Sequence, residues 1–343
     1  MYDNITFYID YFEPSRNKIR EWLQYYPKPK EGKKPLPKKY HYFKRKIYNG
    51  RPGKDKFFLT LSLRYDDTAD IFRLRVSGSI RKWFIGDNNR QNLRPDDFKK
   101  SLKLLAQSLG VEEYEILLGR VTKLETGLTV LLKNNFRDIH SCFVWYRSFE
   151  RREEHGTTLY FEGTNYKFVF YDKYIEMTSG KRRVNGRTVP IRIKDRVKNE
   201  LYFLRFEVNV NKVSGVAFYK KNASTVGQLI ENWNLILSQV IKYLKAIKFV
   251  DMLSAEKLVK EMTCSELKEY LKYKYTREIG MYEAIKLMKE TYVGTNETYR
   301  MNKMIKTFMK YVEDEINRRE CLLIGFENKA DSLRHYNNKS NIN

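Results

Sequence analysis

The chain is poor in the residues that build covalent or soft-metal scaffolds. Its 343 residues include three cysteines and four histidines. Cys142, Cys264 and Cys321 are odd in number and far apart, so neither a disulfide framework nor a Cys-x-x-Cys zinc site is written here. A reducing cytoplasm is the expected compartment. His41, His140, His155 and His335 form no His-x-His or His-Glu-x-x-His pair, so any metal must bind mainly through oxygen. There is no apolar run of about 18 residues and no charged-then-apolar leader, and a membrane is therefore not the expected partner. No Gly-x-x-x-x-Gly-Lys-Ser/Thr loop is present, so intrinsic helicase activity is not expected.

Acidic residues are outnumbered. Asp and Glu total 42 against 66 Lys and Arg, a net charge of +24 and a pI near 9.7. Charge of this size speaks to partners, and a polyanion is the obvious one, with nucleic acid favoured. Hydrophobic residues make up 42% and aromatics 15%, well outside the regime in which a chain cannot offset the entropy of ordering. The length suits one large domain with an appendage, or two domains.

The charge is concentrated between residues 27 and 56, which hold twelve Lys or Arg and two acids. Lys28, Lys30, Lys33, Lys34, Lys38, Lys39, Lys44, Arg45 and Lys46 are interleaved there with Pro27, Pro29, Pro35, Pro37, Tyr40, Tyr42 and Phe43. This composition predicts an extended, mobile basic loop that neutralises phosphates and stacks on unpaired bases.

Period-two patterns predict strands at 2–11, 57–65, 71–77, 116–131, 157–162, 166–175 and 200–210. Pro95-Asp96-Asp97 opens a helix with Phe98, Leu102, Leu105 and Leu109 on one face and Gly110 as its stop. A helical pattern is also expected between Asp138 and Phe149. From Thr225 the rhythm is helical, through Leu229, Trp233, Ile236, Val240 and Leu244, and again over 254–272, 281–292 and 297–319. The fold class is therefore mixed α+β. The expected division is a domain over 1–250, a helical C-terminal domain over 251–329, and a disordered Asn-, Lys- and Ser-rich tail over 330–343.

Three strands combine an apolar face with chemistry on the other. Lys123 and Glu125 share a face, as do Arg205, Glu207 and Asn209 opposite Leu204, Phe206 and Val208, and as do Lys167, Tyr171 and Lys173 opposite Phe168 and Phe170. If these strands share a sheet, a tyrosine, two carboxylates and several cations converge, which suits phosphoryl transfer. A phenol with an ordinary pKa of ~10 needs its proton removed or polarised before it can attack. Glu125 and Glu207 could hold Mg²⁺ or Mn²⁺, hard cations that take carboxylate oxygens. Lys173 would stabilise added negative charge. Read singly, a Lys-x-Glu or Arg-x-Glu strand is more often a source of cross-strand ion pairs.

Four blocks in order resemble the gene II replication initiators of filamentous phages and related plasmid replication proteins. Gly78-Ser79 with Gly86-Asp87-Asn88 is similar to their Gly-Ser segment ending in Gly-x-Asn. Val121-Thr122-Lys123-Leu124-Glu125 is similar to their Arg-(Ile/Leu)-Asp strand, Phe170-Tyr171-Asp172-Lys173 to their Tyr-x-Lys segment, and Leu204-Arg205-Phe206-Glu207 to their Arg-Phe-Glu strand. The motifs are short and gain specificity from their order.

The resemblance implies a largely antiparallel sheet packed with helices, plus a helical C-terminal domain. It also implies a site-specific nick at a rolling-circle origin. Tyr171 would attack the phosphate and leave a 5′-phosphotyrosyl bond and a free 3′-hydroxyl, which a host helicase and polymerase would use. Glu125 and Glu207 would be metal ligands, Lys173 an electrostatic helper, and Gly78, Ser79, Gly86, Asn88, Lys123 and Arg205 motif supports. Glu125 and Lys123 stand where relatives commonly have Asp and Arg, and the two-histidine motif of many rolling-circle endonucleases is absent. Tyr174 is a rival nucleophile. The competing expectation is a non-catalytic single-stranded nucleic-acid-binding protein, and a tyrosine relaxase serving plasmid mobilisation would share the chemistry.

Overall fold

The computed structural model describes residues 1–10, 41–49, 57–66, 71–86, 92–133, 139–154, 158–173, 181–184, 187–190, 201–250, 263–291, 297–309 and 318–334. Nine strands form one sheet: β1 (Tyr2–Ile9), β2 (His41–Tyr48), β3 (Phe58–Asp66), β4 (Ile71–Ser79), β5 (Arg120–Lys133), β7 (Glu150–Glu154), β8 (Thr158–Glu162), β9 (Tyr166–Asp172) and β12 (Leu201–Val210). Their spatial order is β2-β3-β4-β1-β5-β12-β9-β8-β7. Every pairing between them is antiparallel. Two-stranded ribbons pair β6 (Phe143–Trp145) with β13 (Lys248–Phe249), and β10 (Lys181–Val184) with β11 (Arg187–Pro190).

Alternation decides which face is buried. Leu59, Leu61 and Leu63, Leu74 and Val76, Leu124 and Leu128, Phe168 and Phe170, and Leu204, Phe206 and Val208 all enter one continuous core. Helices cover that face. Helix α2 (Pro95–Leu109) follows α1 (Ile80–Ile85), and it buries Phe98, Leu102, Leu105 and Leu109. Pro95 presets its first turn, and Asp96 and Asp97 complement the positive end of its dipole. Gly110 ends it at φ 70°, in the left-handed conformation that glycine adopts without cost. After the short α3 (Glu113–Leu117), α4 (Ala217–Asn222) and α5 (Val226–Glu231), helix α6 (Trp233–Ala246) adds Trp233, Ile236, Leu237, Val240 and Leu244 to the core. Each such side chain contributes roughly 1.5–3 kcal/mol on burial.

Helices α7 (Cys264–Ile279), α8 (Met281–Thr291) and α9 (Glu297–Met309) pack around a second, smaller core of Tyr270, Tyr273, Met281, Ile285, Met301 and Ile305, joined by Val144 and Val250. The last helix, α10 (Arg318–Arg334), behaves differently. It packs on β5 and α6 and buries Leu322, Phe326, Ala330 and Leu333 in the main core.

The mixed α+β class, with a large antiparallel sheet and packed helices, is as expected. Four local expectations are corrected. The stretch 138–149 is a 3₁₀ turn at Ile139–Cys142 followed by β6, not a helix. Phe143 there enters the main core and Val144 the second, so both faces are buried and no alternation marks a strand. Residues 41–48 of the expected basic loop form β2. Ile47 contributes to the main core while Arg45, Lys46 and Tyr48 are exposed, a pattern that conceals the strand. Apart from Asn49, the rest of that loop lies outside the described residues. The tail expected from 330 begins later, because α10 continues to Arg334 to bury Ala330 and Leu333. For the same reason, the final helix of the expected 251–329 domain sits with the sheet.

Candidate functional site

The polar side chains of the central strands meet on the sheet face opposite α2 and α6. On β12, Arg205 and Glu207 alternate with the buried Leu204, Phe206 and Val208 and turn to this face. Antiparallel pairing sets Tyr171 of β9 opposite Arg205, and Gly127 of β5 opposite Glu207. The Tyr171 hydroxyl donates to Glu207 Oε1 at 2.8 Å, and the buried Lys173 Nζ lies 3.4 Å from the same hydroxyl. The Arg205 Nε also donates to Glu207 Oε1. Glu207 thus has its orientation fixed by a guanidinium while it accepts the phenol.

A third acid completes the cluster. Asp3, Glu125 and Glu207 each place a carboxylate oxygen within 4.8 Å of the others. Asp3 reaches this face because β1 is bulged against β5 between Tyr2 and Ile5. Tyr2 points into the core, where its hydroxyl donates to Leu229 O at 2.8 Å and its ring meets Trp233. Ile5 is also buried, so the extra residue sends Asp3 outward.

Asp3 is well supplied with donors. Arg205 Nη2 lies 3.3 Å and Arg81 Nη2 3.2 Å from Asp3 Oδ2, and Ser79 Oγ donates to Oδ1. Burial alone would raise the Asp3 pKa, but Arg205, Arg81 and the Ser79 hydrogen bond outweigh it and hold the carboxyl well below its usual range. Burial likewise opposes the Arg205 charge, yet Glu207, Tyr171 and Asp3 hold its pKa well above the ordinary value. Arg205 Nη1 takes up Thr129 Oγ1 at 3.2 Å.

Among the described residues, no cation contacts Glu125. Its side chain accepts from Asn4 Nδ2 at 2.7 Å. Burial, then the negative charges of Glu207 and Asp3, push its pKa up to about 8. Three acids thus crowd together, with Arg81 and Arg205 balancing Asp3 and Glu207 while burial and the neighbouring charges keep a proton on Glu125. That is the environment a divalent cation would relieve, and an all-carboxylate set of hard oxygens fits Mg²⁺ or Mn²⁺. Glu125 and Glu207 would hold it, with a third oxygen of Asp3 in reach.

The Gly-Ser segment supports the cluster from β4. Gly78 has φ 142°, and a Cβ there would come 3.1 Å from Leu59 Cδ2 and 3.3 Å from Phe58 O, so the position demands glycine. Ser79 caps α1 by accepting from the Lys82 N–H at 3.1 Å while its hydroxyl reaches Asp3. Gly86 ends the helix, its N–H donating to Lys82 O at 2.8 Å.

The expected Glu125, Tyr171, Lys173, Arg205 and Glu207 are therefore brought together, with Gly78 and Ser79 behind them. Lys123 shares their face at an exposed position. Asn88 and Tyr174 lie outside the described residues, as do Lys28, Lys30, Lys33, Lys34, Lys38 and Lys39. Lys44, Arg45 and Lys46 fall in β2, well removed from the acids in strand order. Sequence reasoning missed Asp3, Arg81 and Gly127. The bulge concealed Asp3, whereas the glycine interrupting the polar face of β5 was a usable signal. No protein-family model, curated protein or solved structure matches the chain.

Proposed function

We propose that this protein cleaves and rejoins DNA through Tyr171, as the resemblance of its four motifs to rolling-circle replication initiators implies. One observation carries the reading: Tyr171 donates to Glu207 at 2.8 Å, and Glu207 is also a member of the three-carboxylate cluster. A nucleophile, its proton acceptor and a candidate divalent-cation site thus share one carboxylate.

In the proposed reaction, the Tyr171 oxygen attacks a backbone phosphorus, a Tyr–O–P bond forms, and the bond from phosphorus to the 3′ oxygen breaks. The phenolic proton passes to Glu207, and the departing 3′ oxygen takes a proton from water to become a free hydroxyl. Lys173, at 3.4 Å from the Tyr171 oxygen, stabilises the developing phenolate and the negative charge that follows it onto the phosphate. Arg205 keeps Glu207 in place. A Mg²⁺ or Mn²⁺ ion, when bound, would polarise the phosphate. The phosphoester is conserved as the tyrosyl ester, so rejoining needs no nucleotide. DNA replication at an origin, with host helicase and polymerase as partners in a bacterial cytoplasm, belongs to the same proposal. Among the described residues no helix is long and apolar enough to cross a membrane.

A second reading has its own observation. Asp3 and Glu207 already receive guanidinium hydrogen bonds, as carboxylates in a structural ion-pair cluster would. On that reading the protein binds single-stranded nucleic acid without cutting it. Incubation with Mn²⁺ and labelled single-stranded origin DNA, followed by denaturing electrophoresis, separates the two. The nicking reading expects a covalent adduct from the wild type and none from Tyr171→Phe, which should still bind. Binding with no adduct from either protein favours the binder.

A further inference from the structure

The two wings of the sheet differ in charge. Strands β2, β3 and β4 carry Lys44, Arg45, Lys46, Arg64, Arg73 and Arg75 against Asp66 as their single acid. Strands β7 and β8, at the other edge, carry Glu150, Glu153, Glu154 and Glu162 against Arg151 and Arg152. The acidic cluster and Tyr171 lie between these wings, on the central strands.

Edge protection does not account for the difference. Charged side chains on an edge strand discourage pairing with other chains, and β7 achieves this with mixed signs, Arg152 meeting Glu154 and Glu162 at 3.5 and 3.3 Å. The basic wing is predominantly of one sign, although Arg73 pairs with Asp10 just past β1, and it extends inward to β4, which is no edge. Arg73 and Arg75 alternate there with the buried Leu74 and Val76, and so face the same side of the sheet as the carboxylates.

The basic wing also carries aromatic rings under its cations. Lys46 Nζ lies 4.1 Å from the centre of the Phe58 ring, with the exposed Tyr48 ring beside it, and the Arg75 guanidinium lies 5.9 Å from that of Tyr8. A phosphate that draws either cation off its ring leaves an aromatic face for a base. The registers align one row across five strands, Lys46, Thr60, Ser77, Thr6 and Lys123. Exposed lysines end this row, with hydroxyl side chains between them, and Lys123 is two residues from Glu125 on the same face.

We infer that single-stranded nucleic acid reaches the Tyr171 site over the basic wing, its backbone crossing β2, β3, β4 and β1 towards Lys123, and that the β7–β8 wing does not hold it. The inference rests on the reading of the protein as a nucleic-acid enzyme, and adds to it the side from which the substrate strand is held. Charge and stacking together fit a polynucleotide better than an anionic lipid surface, which offers no bases to the rings.

The test uses the full chain and a fluorescein-labelled 20-mer of thymidylate, read by anisotropy over a salt series. Lys46→Glu with Arg75→Glu is expected to weaken binding at least tenfold. The milder Lys46→Gln with Arg75→Gln should lower the slope of log affinity against log salt by about 1.4, for two phosphate contacts at about 0.7 each. Arg152→Glu should change affinity less than twofold. Thermal unfolding of each variant establishes that it is folded, and the Gln pair serves if the Glu pair is not. A wild type that does not bind, a basic-wing pair that binds like the wild type, or an Arg152→Glu variant that loses as much as the basic-wing pair would overturn the inference. Binding with the expected charge dependence but no covalent adduct on origin DNA leaves this inference standing and removes the nicking reading. An adduct formed at wild-type concentration dependence by the Glu pair does the reverse.

Discussion

Gly127 lies directly across from Glu207 in the β5–β12 pairing, and the absence of a side chain there makes room for the cluster. A Cβ at Gly127 would come 2.8 Å from Arg205 Nη2 and 2.9 Å from Glu207 Cγ. The glycine also donates its N–H to Met1 O at 3.0 Å, which ties the start of β1 to β5 beside Asp3. Gly127→Ala is therefore expected to destabilise the protein by about 1–3 kcal/mol through overpacking. On the proposed nicking reading it should also reduce adduct formation far more than oligonucleotide binding, as urea unfolding and the adduct assay would register separately.

Arg205 contacts Glu207, Asp3 and Thr129 and is 3% exposed. Arg205→Ala leaves two buried carboxylates short of a partner and should cost about 3–5 kcal/mol. Arg205→Lys, which cannot span the same three partners with a single ammonium, should recover only part of this. Denaturant midpoints at neutral pH, with unchanged slopes, would check both.

Glu125 gives the metal-free protein a pH signature. Its pKa rises from 4.5 to about 8 on folding, so between those values the native state holds a proton that the unfolded chain has released. Stability from this group is fully present below about 4.5 and is lost as pH rises through about 8. Glu125→Gln should flatten that part of the stability profile. Protons and a divalent cation compete for the same carboxylate, so Mn²⁺ stabilisation measured by thermal shift should strengthen towards pH 8 in the wild type and largely vanish in Glu125→Gln.

The two cores predict different responses to truncation. Phe326 of α10 packs against Phe206 at 6.3 Å between ring centres, directly beneath the Arg205 and Glu207 pair. Phe326→Ala should cost about 3–5 kcal/mol and lower the main unfolding transition. Met301→Ala in the second core should leave that transition nearly in place. Calorimetry of both variants tests whether the final helix is a working part of the sheet.

Much of the site was legible because strand alternation is simple. Leu204, Phe206 and Val208 set the inner face of β12, and Arg205 and Glu207 follow from them. The same rule sets Tyr171 and Glu125, and the pairing register does the rest. It failed where one residue is added or both faces are buried. A bulge reverses the parity of β1 between Tyr2 and Ile5, and Asp3 changes sides with it. β6 lies between two cores and has no polar face to read. Arg81 sits on the short helix α1, where no repeat length signals that a guanidinium is turned inward to Asp3. For α10, polar residues such as Asn328, Lys329 and Ser332 hide the buried Phe326, Ala330 and Leu333.

Asp3 and Arg205 stand 202 positions apart in the chain, yet one hydrogen bond joins them. The cluster draws on the first strand and the last strand of the large sheet, so a growing polypeptide cannot assemble it until β12 has been made. Contacts of such sequence separation form late, after the loops between them have closed. A truncated or half-folded product would still carry many of the basic residues, but it would lack the assembled cluster. If the protein nicks DNA as proposed, dispersing the acids and the tyrosine across distant strands withholds that activity from every incomplete copy.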